Sequence, residues 1–443
     1  MRTDSSWKQR LQEDGRRVII LDDDPTGTQT VSNVEVILRP SPAAYQRFFQ
    51  SSEQAVYILT NSRALSREQA VSLLSHIRAD VEVAAAKSGQ KVAFLLRGDS
   101  TLRGHVFAEV DTLASSFEDW VCLFVPAFPE GGRITVDGVH YLLVDGERIP
   151  VARTEFARDT TFGYQSEHIV AWAAEVGGGR RALSLPLAQL RAQGAALITR
   201  TLLEAPCGTT VIPDAETATD LETIALGLLD AEAQGRTVIV RSASTFAALR
   251  SGLHGEIISS VGTIDGPILV VCGSHTEASS RQLEQLIEQT SVAPVVIPTN
   301  WLLQEGPDAV VPRLARQLSL ALKGQKFAIL ATERIRLPEH GDLETGARVM
   351  DALTAMVTHV ADECSALIVK GGISSAQVAL EGLSASWAHV RGQLEPGVSL
   401  WDLTLADGRV LPYTVIPGNV GHDMTIVNIA RQFQITPLRA PGT

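Results

Sequence analysis

VIILDDDPTGTQT, Val18 to Thr30, is an apolar run that stops at three aspartates and a proline. Four consecutive apolar residues closed by polar ones describe a short strand buried on both faces, the habit of a parallel sheet. Ligands of open parallel sheets sit outside the carboxyl ends of the strands, so Asp22–Thr30 is a candidate site by position alone. A helix start would explain one carboxylate, as a cap on free amide groups. Three in a row repel each other and call for a cation, a metal or a hydrogen-bonding ligand.

The same rhythm continues outward from this stretch. Strands are predicted at Val18–Leu21, Ala55–Leu59, Val92–Leu96 and Val121–Val125, with a helix from Ser66 to about Lys87 whose start suits Ser66 followed by Glu68 and Gln69. From Pro126 to about Gln165 the chain is rich in Gly, Pro, Arg and Asp and reads as one long irregular, functional segment. Strand signals return at Thr209–Ile212 and Thr237–Val240, and residues 251–266 read as a linker. A second series follows: strands Ile268–Cys272, Pro294–Ile297, Phe327–Leu330 and Ala366–Val369, with helices from Ser279, over Asp308–Lys323, up to Asp362 and from Ser375. Alternating strands and helices predict two α/β domains with mainly parallel sheets, over residues 1–245 and 265–443.

Composition bounds the function. The 443 residues are 45% hydrophobic and 20% charged, a globular balance with length for two or three domains. A net charge of -12 argues against nucleic acid, which needs a basic face. Cys122, Cys207, Cys272 and Cys364 are scattered with no C-x-x-C pair, which leaves zinc and redox readings unsupported. The charged N-terminus has no signal-like apolar region, and no apolar run nears the ~20 residues of a membrane span, so a cytoplasmic protein without membrane contact is expected.

Two further loops join the first. LTNSRAL places Arg63 beyond a strand end, and LLRGDSTLRGH places Arg97, Gly98, Asp99, Ser100 and Arg103 beyond another. A guanidinium can hold a carboxylate through two parallel hydrogen bonds, and Asp and Ser suit sugar hydroxyls. In the second half, VVCGSHTEAS, LIVKGGISSAQ and IPGNVGHD each put glycine and small polar residues after an apolar run. Small residues let backbone amides approach an oxyanion at a helix start, which points to a phosphate cradle. None matches G-x-x-x-x-G-K-[ST] or G-x-G-x-x-G.

Two chemistries fit the aspartates. Asp22-x-Asp24-x-Thr26 matches the D-x-D-x-[TV] signature of haloacid dehalogenase-type phosphatases, with Asp22 as nucleophile; in a kinase the carboxylates would bind a hydroxyl and take its proton. The ordered set of motifs resembles the four-carbon acid sugar kinase family. DDDPTGT is similar to its D-D-x-T-G-A loop, RGDSTLRGH to K-x-D-S-T-L-R-G, PAFPEGGRITVDG to P-A-x-P-x-x-G-R-x-T-x-x-G, and TEFARDTTF to the segment that follows; GSHTEAS, KGGISSAQVA, LEPGV and PGNVG resemble its nucleotide-domain loops. The resemblance runs from about Val18 to Thr425.

It implies a sugar-acid-binding N-terminal domain, an ATP-binding C-terminal domain and an active-site cleft between them. Asp24, Arg63 and Arg97 to Ser100 would contact the acid, with Arg103 beside them. Ser274, Gly371, Gly372, Ile373, Ser374 and Gly418 would contact ATP. Asp24 or Asp23 would act as base, Arg63 or Arg97 would anchor the carboxylate, and Mg²⁺ would accompany the nucleotide. A homo-oligomer is compatible with this scheme. Three departures stand out: Arg97 replaces a lysine, GGISS lacks the acidic residue of GGETS, and IPGNVG lacks the lysine of K-S-G-N-F-G. The missing lysine keeps a non-catalytic sugar-acid-binding protein as a third reading.

Overall fold

A computed structural model describes residues 6–435 except 145, 326, 336–342 and 419. The chain divides into two compact units, Met1–Thr30 with Pro40–His254, and Val31–Arg39 with Gly255–Thr443.

The sheet of the first unit runs in the order Ala55–Leu59, Arg17–Asp22, Val92–Arg97, Val238–Ser242, Val121–Val125, Thr210–Pro213, Ala182–Leu185, with every pair parallel. Helices cover such a sheet on both faces, which is why Val18 to Leu21 are all buried and read as an unbroken apolar run. The register sets Asp22 beside both Leu59 and Arg97, and Ser242 beside Arg97 and Val125, so five strands end level and their loops emerge together. Between two of these strands lies the helix Arg67–Lys87. Its capping box joins Ser66 and Gln69, and it buries Ala70, Leu74, Ile77, Val81 and Ala84 at helical spacing.

The segment read as irregular carries a three-stranded antiparallel sheet, Arg133–Val136, Val139–Val144 and Glu147–Pro150. Asp137 and Gly138, at φ 51° and 70°, form the two-residue turn between the first pair. An Asp-Gly pair between apolar runs is a hairpin signal, hidden here by the surrounding glycines and prolines.

The second unit orders its strands Val295–Ile297, Phe327–Thr332, Ile268–Cys272, Ala366–Lys370, Val410–Ile416, Val398–Thr404, Trp387–Glu395, Val34–Ile37. The first five run parallel and the remaining pairings are antiparallel. Val34–Ile37 pairs with Trp387–Glu395 through Val34↔Val390 to Ile37↔Trp387, so a short N-terminal excursion completes this sheet before the chain returns at Pro40. The sequence reading assigned those residues to the first domain; a four-residue strand at a sheet edge has too little pattern to announce its partner. Among the described residues no helix is long and apolar enough to cross a membrane.

Candidate active site

In the first unit the level strand ends gather Asp22, Asp23, Asp24, Arg63, Arg97, Gly98, Asp99, Ser100 and Arg103, all singled out by sequence. Arg97, buried at 3% exposure, lies beneath the three aspartates. Its Nη1 stands 3.1, 3.3 and 3.1 Å from Oδ1 of Asp22, Asp23 and Asp24, while its Nη2 donates to Ser244 Oγ at 3.1 Å and Thr26 Oγ1 at 3.3 Å. This answers the repulsion of three adjacent carboxylates: one delocalised, permanently charged fork serves all of them. The role expected of Arg97, anchoring a substrate carboxylate, would require breaking these bonds.

Arg63 closes the group from the next loop, with Nε 3.2 Å from Asp23 Oδ2 and Nη2 paired to Asp24 Oδ2. Asn61 at φ 48° starts the turn that carries it. The Asp99 amide donates to Asp23 Oδ2 at 3.2 Å, and Asp99 accepts from Arg103 Nε at 2.7 Å. Ser100 offers its carbonyl to His140 Nε2 at 2.7 Å. Sequence reading missed Arg241 and Glu109, which pair with each other while Arg241 Nη2 also reaches Asp23 Oδ2 at 3.6 Å. Arg241 ends an apolar run, as Arg97 does, so the same signal could have found it. Glu109 lies inside a helix and gave none.

The electrostatics separate the carboxylates. Burial, with Asp23 adding to it, pushes Asp22 up to about 7 against the pull of Arg97. Burial acts on Asp99 in the same sense, but Arg103 and Arg63 overcome it and hold Asp99 well below the usual carboxylate range. Of the three consecutive aspartates, Asp24 alone retains side-chain access, 11% against 2% for Asp22 and Asp23. Asp22 lies against Gly27, where a methyl group would strike its carboxylate. Gly27→Ala is therefore expected to lower stability by about 1–3 kcal/mol, the usual cost of overpacking a filled site, measurable by thermal unfolding against Gly89→Ala, whose added methyl has open space but whose φ of 65° carries its own strain.

The second unit brings its three glycine-containing loops together. The amides of Gly273 and Ser274 donate to the Lys370 carbonyl at 3.2 and 3.3 Å, and that of Gly371, at φ 118°, donates to the Ile416 carbonyl at 2.8 Å. Thr276 caps the helix Glu277–Thr290 and donates to the Gly418 carbonyl at 2.8 Å. Ser279 Oγ donates to Ser274 Oγ at 2.8 Å. Side chains at Gly273, Gly371 or Gly418 would press on Ser274 or Ser374, so these glycines set how closely the loops approach. Gly372 and Ile373 begin the short helix Gly372–Gln377, with Ile373 exposed.

The lysine missing from IPGNVG has a counterpart. Lys370 pairs in register with Ile416 on the neighbouring strand, and its buried Nζ donates to the Pro417 carbonyl at 2.7 Å and the Val420 carbonyl at 3.0 Å. Burial pulls its pKa down to about 8. Arg334 donates to the Ser274 carbonyl and, at 3.2 Å, to Ser280 Oγ. Among the described residues, neither cation has a carboxylate within 4 Å. Both carry charge suited to an anion, and sequence reading did not single out either one.

Comparison with known proteins agrees with this division of chemistry. Residues 18–250 match the model of a sugar-binding N-terminal domain, and residues 269–426 that of a nucleotide-binding C-terminal domain. A D-threonate kinase of Bordetella bronchiseptica is 27% identical over 395 residues, 85% of this chain and 86% of that protein. A D-erythronate kinase of Heliobacterium modesticaldum is 27% identical over 408 residues, 86% and 88% of the two chains. A solved protein of Haemophilus influenzae shares the fold at a TM-score of 0.65 and 16% identity, covering 94% of this chain and all of its own. With both domain models matched in order and the aspartate, arginine and glycine loops in place, the chain belongs to the four-carbon acid sugar kinase family.

Proposed function

We propose that this protein is a kinase that transfers the γ-phosphoryl group of ATP to a hydroxyl of a small sugar acid of the threonate or erythronate kind. The observation that carries the reading is Asp24, a carboxylate just beyond a strand end that faces Arg63 and Arg97 and, of the three consecutive aspartates, alone keeps an accessible edge. Asp24 orients the accepting hydroxyl and takes its proton, and Arg97 holds Asp24 in place. Arg63, Asp99, Ser100 and Arg103 line the sugar's side. Ser274, the Gly371–Ser374 turn and Gly418 receive the nucleotide, with Lys370 and Arg334 supplying positive charge. The printed names of the relatives, D-threonate kinase and D-erythronate kinase, support the substrate class.

Among the described residues, no three His, Cys, Asp or Glu side chains gather as a metal cage. Magnesium in such enzymes takes one or two protein ligands and otherwise phosphate oxygens and water, so the residues present suit Mg²⁺ that arrives with the nucleotide, where it would neutralise phosphate charge. A kinase drawing on ATP would work in the cytoplasm. The dehalogenase-type reading is disfavoured by Asp22, which is 1% exposed, bonded to Arg97 and covered by Gly27, leaving no approach for phosphorus.

The test is ADP release from Mg·ATP across a panel of four-carbon sugar acids, each omitted in turn. Release that depends on one acid is the expected outcome. Acid binding without ADP would instead favour the non-catalytic binding protein, and phosphate released from sugar phosphates without ATP would restore Asp22 as nucleophile.

A further inference from the structure

We infer that Arg133 is the residue that receives the carboxylate of the sugar acid and so sets the preference for an acid over a neutral polyol. The inference rests on the function proposed above and goes beyond it by naming the specificity group.

At the strand ends most arginines are already paired. Arg97 is bound to three aspartates, Arg63 to Asp23 and Asp24, Arg103 to Asp99 with Asp159 at 3.5 Å, and Arg241 to Glu109 and Asp23. Any of these four would have to surrender an ion pair to accept a ligand carboxylate, and doing so would leave a buried aspartate exposed to its like-charged neighbours. Arg133 differs. Among the described residues it has no carboxylate within 4 Å; its Nη1 donates to the Gly131 carbonyl, and its Nε is buried with no partner. A mostly enclosed guanidinium with idle donors and no counter-ion is costly unless a ligand completes it.

Its position suits that ligand. Arg133 begins the first strand of the small antiparallel sheet, and His140 on the next strand joins Thr135 at 2.8 Å to the Ser100 carbonyl at 2.7 Å. Tyr164 donates to the Thr101 carbonyl at 3.0 Å. His140 thereby fastens the hairpin to the Asp99–Arg103 loop, which Tyr164, from beyond the hairpin, also holds. Glu130, just before it, accepts from Thr245 Oγ1 at 2.6 Å beside the Val238–Ser242 strand end. Arg133 also lies within electrostatic reach of Asp99 and Arg103: burial pulls its pKa down, Asp99 opposes this, and the like charge of Arg103 adds to it. A guanidinium meets a carboxylate through two parallel hydrogen bonds and offers a neutral hydroxymethyl group far less. The hairpin that carries Arg133 would then act as a reader of the substrate's acid end, while the aspartate cluster holds its hydroxyls.

The test is equilibrium binding, without nucleotide, of D-threonate and D-erythronate and of the corresponding neutral amides, to the wild-type protein, Arg133→Gln and Arg133→Lys. The expected result is that Arg133→Gln binds the preferred acid about 10- to 100-fold more weakly, the range for loss of a charge-assisted hydrogen bond. Its affinity for the amide and its KM for ATP should stay unchanged, so the acid-over-amide preference collapses, and Arg133→Lys should fall between the two. If acid and amide weaken together along with the melting temperature in both variants, Arg133 only supports the hairpin and the inference is wrong. An unchanged acid preference in Arg133→Gln overturns it as well. Wild-type protein that binds ATP but neither acid removes the sugar-acid reading itself, and the inference falls with it.

Discussion

Asp24→Asn is expected to reduce turnover by about 10²- to 10⁴-fold, the usual contribution of a positioned general base, while ATP binding persists. The amide keeps one acceptor for the Thr26 amide, which donates to Asp24 Oδ1 at 2.7 Å. It loses the second lone-pair site, which faces Arg63, and with it the place for the hydroxyl proton. Asp23→Asn is the discriminating control. Asp23 binds Arg63, Arg97, Arg241 and the Asp99 amide from a side chain only 2% exposed, so its loss should lower the melting temperature before it lowers the chemical step. Single-turnover ADP formation and thermal unfolding of both variants separate the two roles. Full turnover in Asp24→Asn would remove the assignment of the base.

Lys370→Met should raise KM for ATP by about 10- to 100-fold, in line with loss of charge-assisted contacts, without altering affinity for the sugar acid. The wild-type protein should also show a pH dependence that the variant lacks. Burial lowers the Lys370 pKa to about 8, from an ordinary value near 10.5. The ammonium is therefore charged at pH 7 and loses its proton as pH rises through about 8, so KM for ATP should climb above that pH. Stability moves the other way. Between about 8 and 10.5 the unfolded chain still holds the proton that the folded one has released, so stability rises with pH across that window. Methionine fills a similar volume without a charge to bury, so the variant should fold. A KM for ATP that is flat with pH in the wild type and unchanged in Lys370→Met would exclude Lys370 from nucleotide binding.

Much of the site is legible in the sequence. The apolar run Val18–Leu21 and its counterparts mark strands covered on both faces, and residues just beyond them must lie at one end of a parallel sheet. That reasoning named Asp23, Asp24, Arg63, Arg97 and Asp99, which the register then sets side by side. It did not reveal that Arg97 lies beneath the aspartates instead of facing outward, because pairing depends on side-chain direction across strands far apart in sequence. Arg133 escaped notice for a related reason. Its strand lies in a stretch whose glycines and prolines obscure the Asp137-Gly138 turn, and an arginine's lack of a counter-ion among the described residues has no sequence signature. The nucleotide loops were likewise recognisable as glycine and serine turns, while the lysine absent from one strand and present in register on the next became visible only once Lys370 and Ile416 were paired.

The sequence by itself determined the local rules: which runs are buried strands, where they end, and which polar groups stand at those ends, since each follows from side-chain chemistry within a few residues. Tertiary structure alone decided which charges neutralise each other, which have no counter-ion among the described residues, and that Val34–Ile37 completes the second unit's sheet. Those outcomes turn on distances of about 3 Å between groups separated by tens to hundreds of residues. Only the closed fold, with water excluded and the strands held in register, fixes them.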